Sequence, residues 1–322
     1  MAADPSASPA HREGFRRHLA DTLPGMRWGT LVVERAGTLI GGAPLTIERR
    51  AGLEWLHASP WLLPGTPLAN PGDHREVDLA VGLGLAAHAR AIGAAGGEWV
   101  VYRPEGPAPD PVALERVGGE TRLMHAAVVD LDSTMESAWG RIERHARQDL
   151  AVARRRGVVC TEEPGALETA HALYVAQSRS WSGHRPLPIE MARRLLAPGG
   201  GEARLFTARD GRGILSAVLV LTGEHEWFAW WSGSHADARR RHAFPLLLWF
   251  AAETAARAGA RRFNVGASAG RAGVEAFKRT LGARLVPVHV RWIDARHAPP
   301  AGRWVAALQG WMRRGRARGE ER

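Results

Sequence analysis

Of the 43 lysines and arginines in this chain of 322 residues, a single one, Lys278, is a lysine. Arginine replaces lysine at little cost on a solvated surface. It cannot replace a compact ammonium that enters a narrow site, or one that must give up a proton near neutral pH. Lys278 is therefore the first candidate for a functional role, with an ordinary solvated helix residue as the plain alternative. Cysteine is as scarce: Cys160 stands alone, which excludes an intramolecular disulfide and fits a reducing compartment. No apolar run approaches the roughly eighteen residues that span a bilayer, and the opening MAADPSASPAHREG has no apolar core of a signal peptide. These absences predict a cytoplasmic protein. HExxH, paired CxxC and acidic calcium-loop patterns are missing, so no metal and no permanently bound cofactor is expected. The spacing GxxxxGK[ST] is missing as well, which argues against an ATP-binding loop.

What is present is charge of one sign and a rich apolar inventory. A formal charge of +10 and a pI near 11.2 favour anionic partners such as phosphates, nucleic acid or a lipid surface, while 45% hydrophobic content is enough for two cores. The expected organisation is a first domain over 1–130, a second over 131–298 and a basic amphipathic tail over 299–322. The leader reads as polar with a short helix around Phe15–Thr22, followed by a hairpin turning at an AlaGly pair. The proline-rich stretch 54–75 reads as a long loop able to border a site. A small-residue helix over 77–92 and strands at 98–102 and 125–131 complete the first half.

From Ser133, with Glu136 three positions on, a capping box predicts one helix to residue 156. Its buried stripe is Trp139, Ile142, Ala146, Leu150 and Ala153. Arg141, Arg144, Arg147 and Arg154–Arg156 form either a solvated basic face or a surface that grips phosphates. After a strand at 158–162 and a helix through 172–176, the segment from Trp181 to Pro188, holding His184 and Arg185, is either an acceptor site or plain turn chemistry. Three successive strands at 204–208, 213–221 and 226–233 predict an antiparallel meander. The tryptophans at 227, 230 and 231 fall on both faces of the last strand, and Trp231 is able to line a groove. A helix over 244–258, a strand at 261–265, a short helix carrying Lys278 and a strand at 285–292 follow. At 303–318, Trp304, Leu308, Trp311 and Met312 share one helical stripe ahead of a basic run, which suits docking on its own domain or a peripheral contact with the inner membrane surface or tRNA.

Gly266–Gly270, GlyAlaSerAlaGly, has the spacing of a nucleophile elbow around Ser268. The available acid and base, Asp294 and His297, lie three residues apart, and His289 precedes Asp294. Too little chain remains for the usual triad carriers. The glycines serve better as permissive turns that let backbone approach a ligand or a helix closely.

The sequence of elements from 133 onward, PheAsnValGlyAlaSer at 263–268 and above all GluAlaPheLysArgThrLeuGlyAla at 275–283 resemble the second half of FemAB-like acyltransferases of the GNAT superfamily. The first 130 residues are compatible with the degenerate first half found there. The resemblance implies an α/β (α+β) fold of tandem GNAT-like domains, each a mixed, mainly antiparallel sheet flanked by helices. It implies transfer of an acyl or aminoacyl group to an amine on a small molecule or a cell-envelope or polysaccharide precursor. Where the family's pyrophosphate loop would fall, residues 239–245 hold arginines and no glycine, and no heptad run marks a coiled-coil arm. The donor therefore stays open between acyl-CoA and aminoacyl-tRNA. Under this reading Lys278 stabilises an oxyanion or holds a substrate anion, Ser268 and Asn264 orient the acceptor, and Arg239, Arg240 and Arg241 meet donor phosphates. Trp231, Trp181, Arg185 and Arg147 complete the expected substrate site. The rival readings are a noncatalytic module holding an anionic envelope precursor or RNA, and a serine hydrolase acting through Ser268.

Overall fold

The computed structural model describes residues 4–61, 63–181, 184–197, 201–268 and 270–293. The described chain divides into two compact units, one spanning 4–125, 270–271 and 286–293, the other within 126–268 and 272–285. Both are mixed α/β with mostly antiparallel strands, and among the described residues no helix is long and apolar enough to cross a membrane.

The first unit contains α1 (Glu13–Thr22), β1 (Met26–Arg35), β2 (Thr38–Arg50), β3 (Leu53–His57), β4 (Leu68–Ala69), α2 (His74–Ala91), β5 (Gly97–Tyr102), α3 (Pro111–Arg116) and the start of β6 (Thr121–Asp130). Two hairpins join β1 to β2 and β2 to β3, each turning on an Ala-Gly pair with positive φ: Ala36 at 50° and Gly37 at 78°, Ala51 at 51° and Gly52 at 77°. Such turns carry the twist that antiparallel neighbours need. The stretch 54–75 is less of a loop than its prolines suggest, since it opens inside β3 and includes β4, which pairs with β2. On α2, Val77, Val81 and Leu85 recur every fourth residue and pack on Leu45, Leu56, Trp99 and Val101 of the sheet.

The leader, expected as merely polar, is pinned. Buried Asp4 accepts from the backbone N–H of Ser6 at 2.8 Å and of Ala69 at 2.9 Å, which satisfies a strand edge that water cannot reach. His11 follows the same logic: its Nε2 donates to the Thr66 carbonyl at 2.8 Å and its Nδ1 accepts from Ser8 N–H at 3.0 Å. Residues 288–293 of strand β12 (Arg284–Ile293), expected with the second domain, pair antiparallel with β5 in the first unit.

The second unit holds the end of β6, then α4 (Glu136–Arg141), α5 (Arg144–Arg155), β7 (Val159–Glu162), α6 (Leu167–Ser178), α7 (Ile189–Leu195), β8 (Ala203–Asp210), β9 (Gly213–Leu221), β10 (Glu226–Ser234), α8 (Ala238–Arg241), α9 (Ala243–Arg257), β11 (Arg262–Ala267) and α10 (Ala272–Thr280). The strand order is β6-β11-β10-β9-β8-β7, antiparallel except for the parallel pair β10 and β11. The predicted helix from Ser133 is two helices. Asp132 and Thr134 make the entry turn, Met135 takes φ 60°, and the chain breaks at Ile142–Glu143, where Glu143 N–H leaves the helix to bond the Thr280 carbonyl at 2.9 Å. The break keeps the apolar stripe on the core: Ala138, Ile142, Ala146, Leu150 and Ala153 are all buried beside α9.

Asp78 of α2 is buried against Arg103, accepting from Arg103 Nη1 at 2.9 Å and from Asp110 N–H at 3.2 Å. Asp78→Ala would strand a buried guanidinium, and urea denaturation should show a loss of about 3–5 kcal/mol. Burial holds the His11 imidazole below its ordinary range, so the unfolded chain binds the proton first as pH falls. Its contribution is present above about pH 6.5 and is lost below it. Between pH 7.5 and 5.5, the melting temperature should fall more steeply for the native chain than for His11→Gln. Equal slopes would exclude His11 as the cause.

Candidate active site

The second unit's sheet comes apart at a defined place. Strands β10 and β11 pair at Glu226 with Arg262, Trp227 with Phe263 and Phe228 with Asn264, and the parallel ladder ends there. Both strands turn at this point, because the register of β10 on β9 shifts between Ala229 and Trp231, and that of β11 on β6 shifts between Asn264 and Ala267. Below the parting lies a buried polar network. Glu226 accepts from Arg262 Nε at 3.2 Å and from Asn264 Nδ2 at 2.9 Å, and Asn264 Oδ1 accepts from Gly266 N–H at 2.8 Å. Gly266 has φ 76°, a conformation that costs glycine nothing. Asn264 thus shapes the turn at the end of β11, and its amide is occupied in doing so.

Lys278 on α10 points at the same turn. Its Nζ donates to the carbonyls of Gly266 at 2.9 Å and Ala267 at 3.0 Å, and the residue is buried. Burial pulls the ammonium down to about 8, against the opposing field of Glu275. Two of three donors are thereby committed, and the third position is an N–H or, after deprotonation, a lone pair. A broad guanidinium has no equivalent. Ser268, next along, is buried with its hydroxyl lacking a hydrogen-bond partner among the described residues. A serine nucleophile needs a base within hydrogen-bond reach, and none among the described residues contacts this one. Asp294 and His297 lie outside the described residues.

After β10 the chain runs through α8 to α9, with His242 at φ 52° between them. Arg239 and Arg240 are exposed, whereas Arg241 is half-buried and faces Asp210 at 3.7 Å. The segment is strapped to α5: Arg156 donates to the Arg240 carbonyl, and Asp149 lies 3.5 Å from His242. Arg147 is half-buried on α5, two residues from Asp149 and so roughly 160° around the helix axis, on the flank away from this strap. Phe277, the neighbour of Lys278, stacks on Phe244 in the first turn of α9, with centroids 6.2 Å apart. The start of α9 and the lysine helix are therefore adjacent.

Trp231 does not line an open groove. It is buried, with its ring stacked on Tyr174 of α6 at 4.9 Å and edge-on to His171. Helix α6 lies this close because position 233 is glycine; a Cβ there would stand 2.2 Å from Tyr174 N. Trp181 is half-buried against Tyr174 and His184, and Arg185 is exposed beside them. The Tyr174 hydroxyl is bonded to His184 Nε2 at 2.8 Å and accepts from Leu187 N–H at 3.1 Å, while His171 Nε2 donates to the Leu187 carbonyl at 2.8 Å. Burial raises the Tyr174 phenol and lowers the His184 imidazole, which keeps both neutral near pH 7.

The expected residues thus fall into three neighbourhoods: Lys278, Ser268 and Asn264 at the end of β11, Arg239–Arg241 before α9, and Trp231, Trp181 and Arg185 around Tyr174. Sequence reading passed over Glu226, Arg262, Phe228 and Tyr174. Tyr174 offered one signal, being one of two tyrosines in the chain. Among the described residues, no three His, Cys, Asp or Glu side chains gather in a way that could hold a metal ion. The amphipathic segment 303–318 lies outside the described residues.

Because the chain has one lysine, protein labelled with carbon-13 lysine should give one side-chain signal. Its titration midpoint is expected near 8; a midpoint at the ordinary value of about 10.4 would refute the buried environment.

Residues 140–279 match the family model of an acetyltransferase (GNAT) domain. No curated protein matches the sequence significantly. Among solved structures, FemX is similar at a TM-score of 0.66 and 13% identity, over 89% of this chain and 93% of that one. The C-terminal domain of a putative lysylphosphatidylglycerol synthetase from Agrobacterium fabrum reaches 0.57 at 15% identity, over 88% and 89%. A tandem GNAT protein from the clavulanic acid biosynthesis pathway reaches 0.54 at 14% identity, over 89% and 90%. In fold, then, the chain is similar to FemX and to a tandem GNAT protein, and its residues 140–279 match the acetyltransferase (GNAT) domain.

Proposed function

We propose that this protein is an N-acyltransferase that takes its acyl group from acyl-CoA and passes it to a primary amine. The observation that carries the reading is the parting of β10 and β11 directly ahead of α9. Beyond Phe228 and Asn264 the two parallel strands offer backbone groups to each other no longer. An extended chain bearing amides, such as the pantetheine arm of coenzyme A, suits such an opening because it supplies the donors and acceptors that a neighbouring strand would. The β10 strand leads to the first turn of a fifteen-residue helix flanked by exposed Arg239 and Arg240, where the positive end of the helix dipole and the guanidinium charge favour phosphates.

The chemistry follows from the groups nearby. A neutral amine attacks the thioester carbonyl, a C–N bond forms, and the carbonyl oxygen takes up negative charge. Collapse breaks the C–S bond and expels the thiolate, and the proton that the amine nitrogen loses on becoming an amide is passed on to the sulfur. The uncommitted position on Lys278 Nζ suits either the oxyanion or that proton, since an amine titrating near 8 carries charge at neutral pH and releases it readily. Half-buried Trp181 and exposed His184 and Arg185, at the edge of the Tyr174 cluster, are the groups best suited to meet the acceptor. An amine on an envelope or polysaccharide precursor is the acceptor class that the resemblance of residues 263–283 to FemAB-like acyltransferases implies. A second reading, with aminoacyl-tRNA as donor, draws on the exposed arginines Arg144, Arg154 and Arg155 of α5, which suit a phosphate backbone.

Calorimetric titration with acetyl-CoA, and with dephospho-CoA as control at moderate salt, tests the donor. Saturable binding that prefers acetyl-CoA and weakens in the double variant Arg239→Ala, Arg240→Ala is expected. Absence of binding would turn the search to aminoacyl-tRNA. In a thiol-release assay with a panel of primary amines, Lys278→Arg should keep the fold and lose activity by on the order of 10²-fold. Full activity would remove Lys278 from the mechanism.

A further inference from the structure

The closed end of the β10–β11 opening is made by one side chain. Phe228 belongs to the last paired position, and its ring leans across to the turn of β11: a Cβ built on Gly266 would lie 3.8 Å from Phe228 Cε2 and 3.9 Å from Cζ. Phe228 is half-buried. Its direction follows from the bulge in β10. Trp227 and Ala229 point into the core shared with α9, whereas Trp231 and Gly233, past the bulge, face α6. One extra residue therefore sets Phe228 and Trp231 on the same face of the sheet, the face of the Tyr174 cluster. Two residues before Phe228 on β10 stands Glu226, in a buried ion pair with Arg262 and hydrogen-bonded by Asn264, the residue paired with Phe228 on β11.

We propose that Phe228 is an acyl-length gate, restricting the donor to acetyl or a similarly short acyl group. This rests on the acyl-CoA reading above. With phosphates at the start of α9, the arm of the donor enters at the C-terminal ends of the two parallel strands, and its acyl end is the part that reaches deepest. The chain end then meets the Phe228 ring over Gly266. A longer alkyl tail must either displace that ring or press against a charged network whose groups are already satisfied and cannot welcome methylenes. Gly266 belongs to the same wall: the ring lies at van der Waals distance from where a Cβ would stand, and any Cβ there would be strained by φ 76°.

The test is competition binding of CoA, acetyl-CoA, butyryl-CoA and octanoyl-CoA to the native chain and to Phe228→Ala and Phe228→Leu. Circular dichroism and unchanged affinity for CoA itself serve as the check that each variant is folded. The native chain should bind octanoyl-CoA at least about tenfold more weakly than acetyl-CoA. Phe228→Ala should narrow the gap to about threefold or less, with Phe228→Leu between, since truncating the ring opens the space of several methylenes. Equal binding of all lengths by the native chain would overturn the gate, as would an unchanged preference in Phe228→Ala. Should Ala misfold, the same comparison in Leu decides. Failure of CoA itself to bind is a separate result: it would sink the acyl-CoA reading, and the gate with it.

Discussion

A buried carboxylate must be satisfied from every side, and Glu226 is satisfied by residues of a neighbouring strand. Arg262 and Asn264 both reach it, so the first three positions of β10 and β11 are locked together. Breaking such a pair from one side would cost several kcal/mol, about 3–5 for a lost partner, so the strands have no freedom to slide. The rest follows from that fixed start. Asn264 spends its other amide atom on Gly266 N–H, the chain turns there with positive φ, and the parallel ladder cannot continue. An opening between two parallel strands is thus not a gap in packing but the consequence of a polar network that dictates where pairing ends.

Lys278 completes the same construction from the opposite side. A turn that leaves two carbonyls pointing inward needs a donor in a small space, and a single ammonium serves both. The role suits an ammonium and not a guanidinium, in a chain otherwise so rich in arginine. Structure and chemistry are joined in one group here: burial that fits the amine between two carbonyls also lowers its affinity for a proton. Gly233 plays the corresponding part on the other face, since only the lack of a side chain lets α6 approach β10 and set Tyr174 on Trp231.

Much of the architecture was legible from local pattern. The Ala-Gly hairpin, the meander over β8 to β10, the helix α9 and the short lysine helix all follow from periodicity and turn chemistry, and the structure has them. Errors occurred where tertiary hydrogen bonds competed with local signals. A capping box at Ser133 lost to the Asp132–Thr134 turn, and the helix predicted through Glu143 is broken because that residue's N–H serves Thr280 instead. A leader read as polar is held down by Asp4 and His11, whose partners lie more than fifty residues away.

The sequence by itself determined the inventory: one lysine beside a glycine-rich turn, arginines before a long helix, tryptophans on both faces of a strand, and the order of elements that resembles FemAB-like proteins. Those properties are local, decided by neighbours within a few residues. Only the tertiary structure decided which of these groups are used and for what. Trp231 is buried under Tyr174, Asn264 is bound to Glu226 and Arg241 faces Asp210, while Phe228, unremarked in the sequence, stands at the closed end of the opening. The reason is physical. A side chain's role depends on which of its atoms remain without partners after folding, and those partners come from strands and helices far apart in the chain.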